Sequence, residues 1–399
     1  MTVLIWTLVA VLGLSALVWL LLLLQLVVRR GDLTWRVTAD RDPEAPTTGP
    51  LVSVIIPARN EAGNIGPCID RVLAQTWTDL EVVVLDDASD DGTADEIRSR
   101  AEKDGRVRVV QGQARPDGWM GKVWACNVAQ HQARGTVLLF IDADVRLAPE
   151  AVRQSRAYLL QNELGALSAF GKLELVTFWE WVVQPVVGGL ILSNNDPREV
   201  NDPAKKDKVM ANGQFIMATR EAYDRVGGHA SIRGEILDDV SFARRCKAED
   251  VPYHMVYGRE LYSCRMYTSL GEIWSGWTKN LFAGLDYRLG ATLAICGLLF
   301  AMNVLPLIAL VWRAVALGMG DAVWTDALLW VAAFNTVAMY VSYVGGLRAA
   351  DYRIGYFWSY PLGMLVTIGL FANSALRIVT GRGVSWKGRT YTHTGTRQR

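Results

Sequence analysis

The chain has 399 residues, 41 of them basic and 40 acidic, and 51% are hydrophobic; its mean hydropathy is positive, too apolar for an ordinary soluble enzyme of this length. The balanced charge offers no argument for nucleic acid, none is expected as a partner, and the Lys205–Lys208 cluster reads as a solvated loop. The five cysteines, Cys68, Cys126, Cys246, Cys264 and Cys296, form no C-x-x-C pair, which argues against a zinc site and a disulfide framework and fits a reducing compartment.

In chain order, residues 1–30 open with an apolar run from Val3 to Val28, broken only by Thr7, Ser15 and Gln25. At ~1.5 Å per residue it is long enough for a hydrocarbon core of ~30 Å. It has no basic leader and no evident small-x-small cleavage site, so it reads as an uncleaved anchor rather than a signal peptide. Arg29 and Arg30 follow and, by the positive-inside rule, hold the next domain in the cytoplasm, at the inner membrane. Residues 31–50, with Pro43, Pro46, Gly49 and Pro50, read as a linker.

Residues 51–285 are expected to form an α/β domain. Three short apolar runs, Val52–Ile56, Val82–Leu85 and Val137–Ile141, alternate with helical patterns such as Asn64–Gln75 and Asp95–Lys103, as in successive βα units. Each run ends directly in a polar loop: Pro57-Ala-Arg59-Asn-Glu61, Asp86-Asp87 through Thr93, and Asp142-Ala-Asp144. Ligands of an open α/β sheet collect at the carboxyl ends of its strands, so these loops describe a nucleotide-sugar site.

From Lys172 to about Leu285 the pattern becomes irregular and is assigned to the acceptor half. Within it, Phe178–Leu192 is apolar and aromatic but interrupted by Glu180, Pro185 and a Gly pair, too short to cross a bilayer. Two readings stand: a buried core helix, or a helix in the headgroup layer where Trp is favoured. Leu270–Leu285 has the aromatic and basic mix of a helix lying against a membrane. Residues 286–380 hold three apolar segments, near 291–312, 323–346 and 356–379, and residues 381–399 form a basic tail. Three crossings after the anchor would leave that tail outside, against the positive-inside rule, so one segment is expected to be re-entrant or interfacial, with the Pro361 segment the first suspect.

The chemistry rests on four groups. Asp86 and Asp87 can accept hydrogen bonds from a base or ribose; an EF-hand starting at Asp87 fails because Arg98 stands where its glutamate belongs. Asp142 and Asp144, two apart at a strand end, share a face and can capture Mg²⁺ or Mn²⁺ while leaving positions for diphosphate oxygens. Gly118–Cys126 fails as a Walker A loop, since Pro116 and Val123 occupy required positions, yet Lys122 is placed to pair with phosphate or with site aspartates; otherwise it is a surface lysine at a helix start. Asp238 and Asp239 open a probable helix, where acids suit the dipole; functionally, one is the base that an in-line displacement requires.

In this order the residues resemble glycosyltransferase family 2, the inverting GT-A enzymes, over about residues 51–285. The opening Pro57–Glu61, Asp86-Asp87, Asp142-Ala-Asp144 and Asp238-Asp239 carry the resemblance. It implies a Rossmann-like GT-A fold in which Asp87 contacts the uracil, Asp144 is the principal metal contact with Asp142 on the sugar-nucleotide, and Asp239 is the base. More narrowly, Gly118–Lys122, Ala211–Phe215, Gly227–His229, Arg265–Tyr267 and Val384–Tyr391 look like the membrane-bound branch that includes carotenoid glucosyltransferases and hopene-associated glycosyltransferases. That resemblance places Gly213, Gln214, His229 and Arg265 on the acceptor side. The pair is Asp-Asp where much of the family has Glu-Asp, and the Gln-x-x-Arg-Trp signature of processive synthases is absent. The expected protein is a multi-pass, metal-dependent inverting transferase that moves one sugar, glucose from UDP-glucose, to a hydrophobic lipid of carotenoid or hopanoid type. The alternatives are a polyprenyl phosphate or diacylglycerol acceptor, and a non-catalytic membrane scaffold.

Overall fold

The computed structural model describes residues 2–28, 34–320, 326–386 and 389–391. Arg29, Arg30, Lys387, Arg397 and Arg399, on which the orientation expectation rests, lie outside the described residues. The chain divides into an α/β unit from Leu33–Glu174 and Asn194–Met266, and a helical unit from Met1–Asp32, Leu175–Ser193 and Tyr267–His393. The continuous stretch expected over 51–285 is thus shared between them: the apolar surface of residues 175–193 packs with other apolar helices rather than with the sheet.

In the α/β unit the strands are β1 (Val52–Ala58), β2 (Leu80–Asp86), β3 (Val107–Gln111), β4 (Val137–Ile141), β5 (Val145–Leu147), β6 (Ala166–Phe170), β7 (Lys172–Leu173), β8 (Phe215–Thr219), β9 (Tyr253–Tyr257) and β10 (Tyr262–Cys264). Seven form one mixed sheet in the order β3-β2-β1-β4-β8-β6-β9, the α/β class expected from the sequence. The first four are parallel, and β8 runs antiparallel between β4 and β6. Successive residues serve opposite faces. Val54, Ile56, Val82, Val84 and Leu139 fill one core, while Ile55, Val83, Leu85, Leu138 and Phe140 fill the other. Burial on both faces is why these strands read as unbroken apolar runs.

Buried Glu81 ties the amino ends of three strands together. Its Oε1 accepts the Ser53 hydroxyl at 2.7 Å and the Arg134 N–H at 2.6 Å, and its Oε2 accepts Arg134 Nε at 2.9 Å. Residues 34–50, expected as a linker, lie along this unit. The Val37 N–H donates to the Tyr257 carbonyl at 3.0 Å, Val37 is fully buried, and Arg153 donates to the carbonyls of Pro43 and Ala45.

In the helical unit, the described helices include Thr2–Val28, Phe178–Asn194, Leu270–Asn280, Leu289–Asn303, Leu305–Gly318, Ala327–Ala349 and Tyr360–Val379. Four stretches among the described residues have the length and apolarity of a membrane span: Val3–Gln25, Leu289–Gly318, Ala327–Ala349 and Ile354–Val379. Pro361 stands in the first turn of its helix, where its missing N–H has no intrahelical partner to lose, so the last segment stays continuous. Glu180 does not interrupt Phe178–Asn194 either. Its carboxylate reaches back to the N–H groups of Val176 and Thr177, satisfying donors at the helix start. Val182 to Val187 are buried, with Gln184 accepting the Trp277 indole N–H at 2.8 Å, which is the core-helix reading for that face. Asn335, also buried, donates to the Leu12 carbonyl at 2.9 Å and accepts the Ser15 hydroxyl at 2.6 Å, fixing the first helix against Ala327–Ala349.

Candidate active site

The carboxyl ends of β1, β2 and β4 bring the three polar loops together. Pro57 closes β1 opposite Leu85. Arg59 turns back to donate to the Asp87 carbonyl at 2.6 Å and the Ala88 carbonyl at 3.3 Å, so it braces the β2 loop. The Glu61 N–H donates to Thr93 Oγ1 at 2.7 Å, and the Glu61 carboxylate accepts Asn64 Nδ2 at 3.1 Å. Asn60 and Ala88 face each other's loops with φ of +51° and +53°. A left-handed alanine is uncommon and marks a loop whose course is imposed by its neighbours. Asp86 and Asp87 are both buried; Asp86 Oδ1 accepts the Ser89 N–H at 3.2 Å. Gly112 passes so close that its N–H donates to the Asp86 carbonyl at 2.8 Å.

Asp142 and Asp144 are not at an extended strand end. β4 stops at Ile141, and the Val145 N–H closes a turn on the Asp142 carbonyl at 3.1 Å. The alternation that would put both side chains on one face therefore does not apply. Asp142 leans toward the helix Gly121–Gln130, where Lys122 Nζ lies 2.6 Å from its Oδ1. Asp144 lies by the thiol of Cys264, which burial, reinforced by Asp144, pushes well above its ordinary value.

Lys122 is the hub. Besides Asp142, its ammonium lies 3.7 Å from Asp238 Oδ2 and donates to the Gly213 carbonyl at 3.4 Å. Burial works to lower its pKa, but Asp142 and Asp238 outweigh that and hold it well above the usual lysine value, so it is a fixed cation. Gly213 then turns its N–H to Asp239 Oδ2 at 2.8 Å, while Asp239 Oδ1 accepts the Val240 N–H at 2.8 Å. A Cβ at Gly213 would stand 3.1 Å from Lys122 Nζ, so a side chain there would push the ammonium from its place. Burial raises the Asp239 carboxyl to about 6, with the adjacent Asp238 adding to it and Lys122 opposing. A half-buried carboxylate at the start of Asp238–Ala248, poised near neutrality, suits a general base.

The remaining acceptor-side candidates shape the wall from within. Gln214 is buried, its Nε2 on Cys264 Sγ at 3.2 Å, its Oε1 accepting Asn212 Nδ2 at 3.3 Å and the Tyr262 hydroxyl at 3.4 Å. Buried His229 shares a 2.8 Å hydrogen bond with the Tyr223 hydroxyl and packs between Phe140 and Phe242; burial lowers its pKa to about 4, leaving it neutral. Arg265 directly follows β10. Asn212, within the Ala211–Phe215 stretch, and Tyr262, at the start of β10, support Gln214, a partnership not read from the sequence. Among the described residues no group of three or more His, Cys, Asp or Glu side chains could hold a metal by itself. Asp142 and Asp144 are hard oxygen donors, and one or two carboxylates completed by diphosphate and water is the set that Mg²⁺ or Mn²⁺ accepts, so the residues fit such an ion.

Residues 53–227 match the family model described as Glycosyl transferase family 2. Over 366 aligned residues the chain is 26% identical to 4,4'-diaponeurosporenoate glycosyltransferase of Staphylococcus aureus strain USA300, covering 85% of this chain and 88% of that protein. Among solved structures it is similar to the mannosyltransferase PcManGT from Pyrobaculum calidifontis in complex with GDP-Man and Mn²⁺, with a TM-score of 0.48 and 19% identity over 93% of this chain and 98% of that one. Against S. aureus TarS 1–349 in complex with UDP the TM-score is 0.42, with 15% identity over 86% and 97% of the two chains.

Proposed function

With residues 53–227 being a glycosyl transferase family 2 domain, we propose that the protein moves one sugar, glucose from UDP-glucose, onto an apolar lipid of the carotenoid type at the cytoplasmic face of the inner membrane. The observation that carries this reading is the carboxylate array joined by Lys122, with Asp142 at 2.6 Å on one side and Asp238 at 3.7 Å on the other. It sets Asp142, on the donor side, near the Asp238-Asp239 pair that includes the base. The four apolar helices support a bilayer location and hence an apolar acceptor. The relative's name supports a carotenoid-type acid as the acceptor class.

The reaction would be a single in-line displacement. Asp86 and Asp87 hold the nucleoside, and the Arg59 brace fixes their loop. Asp239, held by the N–H groups of Gly213 and Val240, takes the acceptor proton as its oxygen attacks the anomeric carbon, which inverts that centre. Lys122 neutralises charge gathered on the departing diphosphate. When bound at Asp144 and Asp142, a divalent cation supplies Lewis-acid stabilisation of the same leaving group.

Lipid extracts of cells expressing the wild type and Asp239→Asn test the reading. A species one hexose heavier than an endogenous lipid, present only with the wild type, is expected. If it is absent in a host that contains the acceptor, and purified membranes release no UDP, the transferase reading fails.

A further inference from the structure

Resting on the nucleotide-diphosphate donor just proposed, one property of the site concerns the order in which it fills. We propose that Lys122 is a resident counter-cation that occupies Asp142 in the donor-free protein and yields it only to an incoming metal–diphosphate pair, so that a divalent cation binds with the nucleotide and not ahead of it.

The geometry supplies three arguments. First, the Lys122 ammonium is already engaged, 2.6 Å from Asp142 Oδ1, donating to the Gly213 carbonyl at 3.4 Å and forming an ion pair with Asp238 Oδ2 at 3.7 Å. A second cation on the same Asp142 carboxylate would sit within a few ångströms of that fixed charge, a strong repulsion in a partly buried site. Second, the described residues offer no cluster of three or more ligating side chains that could hold a metal regardless of Lys122. The protein alone is a poor chelator, and a metal must draw its remaining ligands from elsewhere. Third, the lysine is able to leave, its side chain being 37% exposed. Gly213 presents no side chain where a Cβ would lie 3.1 Å from Lys122 Nζ, and a four-carbon stem lets a compact ammonium swing from one acceptor to another. The diphosphate's oxygens are stronger acceptors than the Gly213 carbonyl, so Lys122 can turn onto them as Asp142 is released. Until then Lys122 keeps Asp142 and Asp238 in register, preserving the donor-to-base spacing.

The experiment uses the full chain in detergent or nanodiscs and Mn²⁺ itself as the probe, with free Mn²⁺ read by electron paramagnetic resonance, with and without UDP. Lys122→Met should bind Mn²⁺ alone about tenfold more tightly than the wild type, while Lys122→Arg, which keeps the charge, stays as weak as the wild type. Lys122→Gln serves as a second neutral variant should the methionine fail to fold. Equal affinity for Mn²⁺ alone in the wild type and a folded neutral variant, with UDP binding intact, overturns the inference and leaves the donor reading standing. A wild type that binds no UDP in the presence of Mn²⁺ overturns the donor reading, and this inference with it.

Discussion

Lys122 and Asp142 meet at 2.6 Å, one from the first turn of a helix and the other from the turn that ends β4. Twenty residues apart in sequence, they are joined because the helix Gly121–Gln130 starts at the carboxyl edge of the sheet and β4, running back from the amino edge, delivers Asp142 there. That meeting holds Asp142 near the Asp238-Asp239 pair.

Asp239→Asn should lower transfer by roughly 10²–10⁴-fold, the usual worth of a positioned base, while UDP binding stays as in the wild type. Release of UDP on adding acceptor, set beside calorimetric binding of UDP, separates the two. Retention of most activity would instead point to an acceptor that is already ionised, a phosphate or a carboxylic acid, which needs no strong base, whereas a hydroxyl acceptor depends on Asp239.

The rate should fall on the acid side with a midpoint near 6, because Asp239, raised to about 6 mainly by burial, must be ionised to accept a proton. Asp239 is faced by Asp238 on its own helix, by Lys122 and by Tyr253 of β9. Lys122→Met removes the one of these that favours the ionised form, so the acid limb moves to higher pH. For stability the sign is opposite to that of a salt-bridged carboxylate: folding favours protonated Asp239, and that contribution, present at low pH, is lost as pH rises through about 6. A pH–rate profile of both proteins checks the first part, and melting temperature against pH the second.

Gly112→Ala should destabilise the α/β unit by ~1–3 kcal/mol. The new Cβ would come 2.7 Å from the Asp86 carbonyl oxygen and 3.0 Å from Asp87 Cα, and backbone cannot rotate away as a side chain can. The melting temperature should drop, and UDP affinity should fall with it because the displaced residues are the proposed nucleoside contacts. An unchanged UDP affinity would separate this loop from the nucleotide.

Asn335→Leu should cost on the order of 1 kcal/mol, as for other hydrogen bonds between apolar helices, since it frees the Leu12 carbonyl and the Ser15 hydroxyl together. Thermal unfolding in detergent measures this directly. Transfer by the folded fraction should be unaffected, as Asn335 has no place in the chemistry.

Several of these relationships could be read in the sequence and others could not, for physical reasons. The runs Val52–Ile56, Val82–Leu85 and Val137–Ile141 announced β1, β2 and β4 because strands buried on both faces leave an unbroken apolar signal, and the acids that follow marked the ligand edge. Sheet order left no such trace, and β8 inserting antiparallel beside β4 is decided by long-range pairing. The two-residue spacing of Asp142 and Asp144 misled because it assumed an extended chain where a turn intervenes. Gln214 and His229 were marked only by the family resemblance, and their hydrogen bonds to Tyr262 and Tyr223 join residues that local pattern does not pair. Glu180 and Pro361 looked like interruptions because composition weighs a residue without its position; at a helix start both are acceptable.

The division of the chain has a consequence for its synthesis. The α/β unit is made in two instalments, Leu33–Glu174 and Asn194–Met266, separated by residues that belong with the helices. A ribosome therefore completes the strands bearing Asp86 and Asp142 well before it reaches the helix bearing Asp239, and between the two it emits an apolar segment that needs shelter among helices, most of which are still unmade. Both apolar cores of the unit wait for the second instalment, which supplies Phe215 and Val256 to one and Ile216 and Phe242 to the other. A nascent chain stalled before residue 215 would hold the loops that follow β1, β2 and β4 without the helix that bears Asp239.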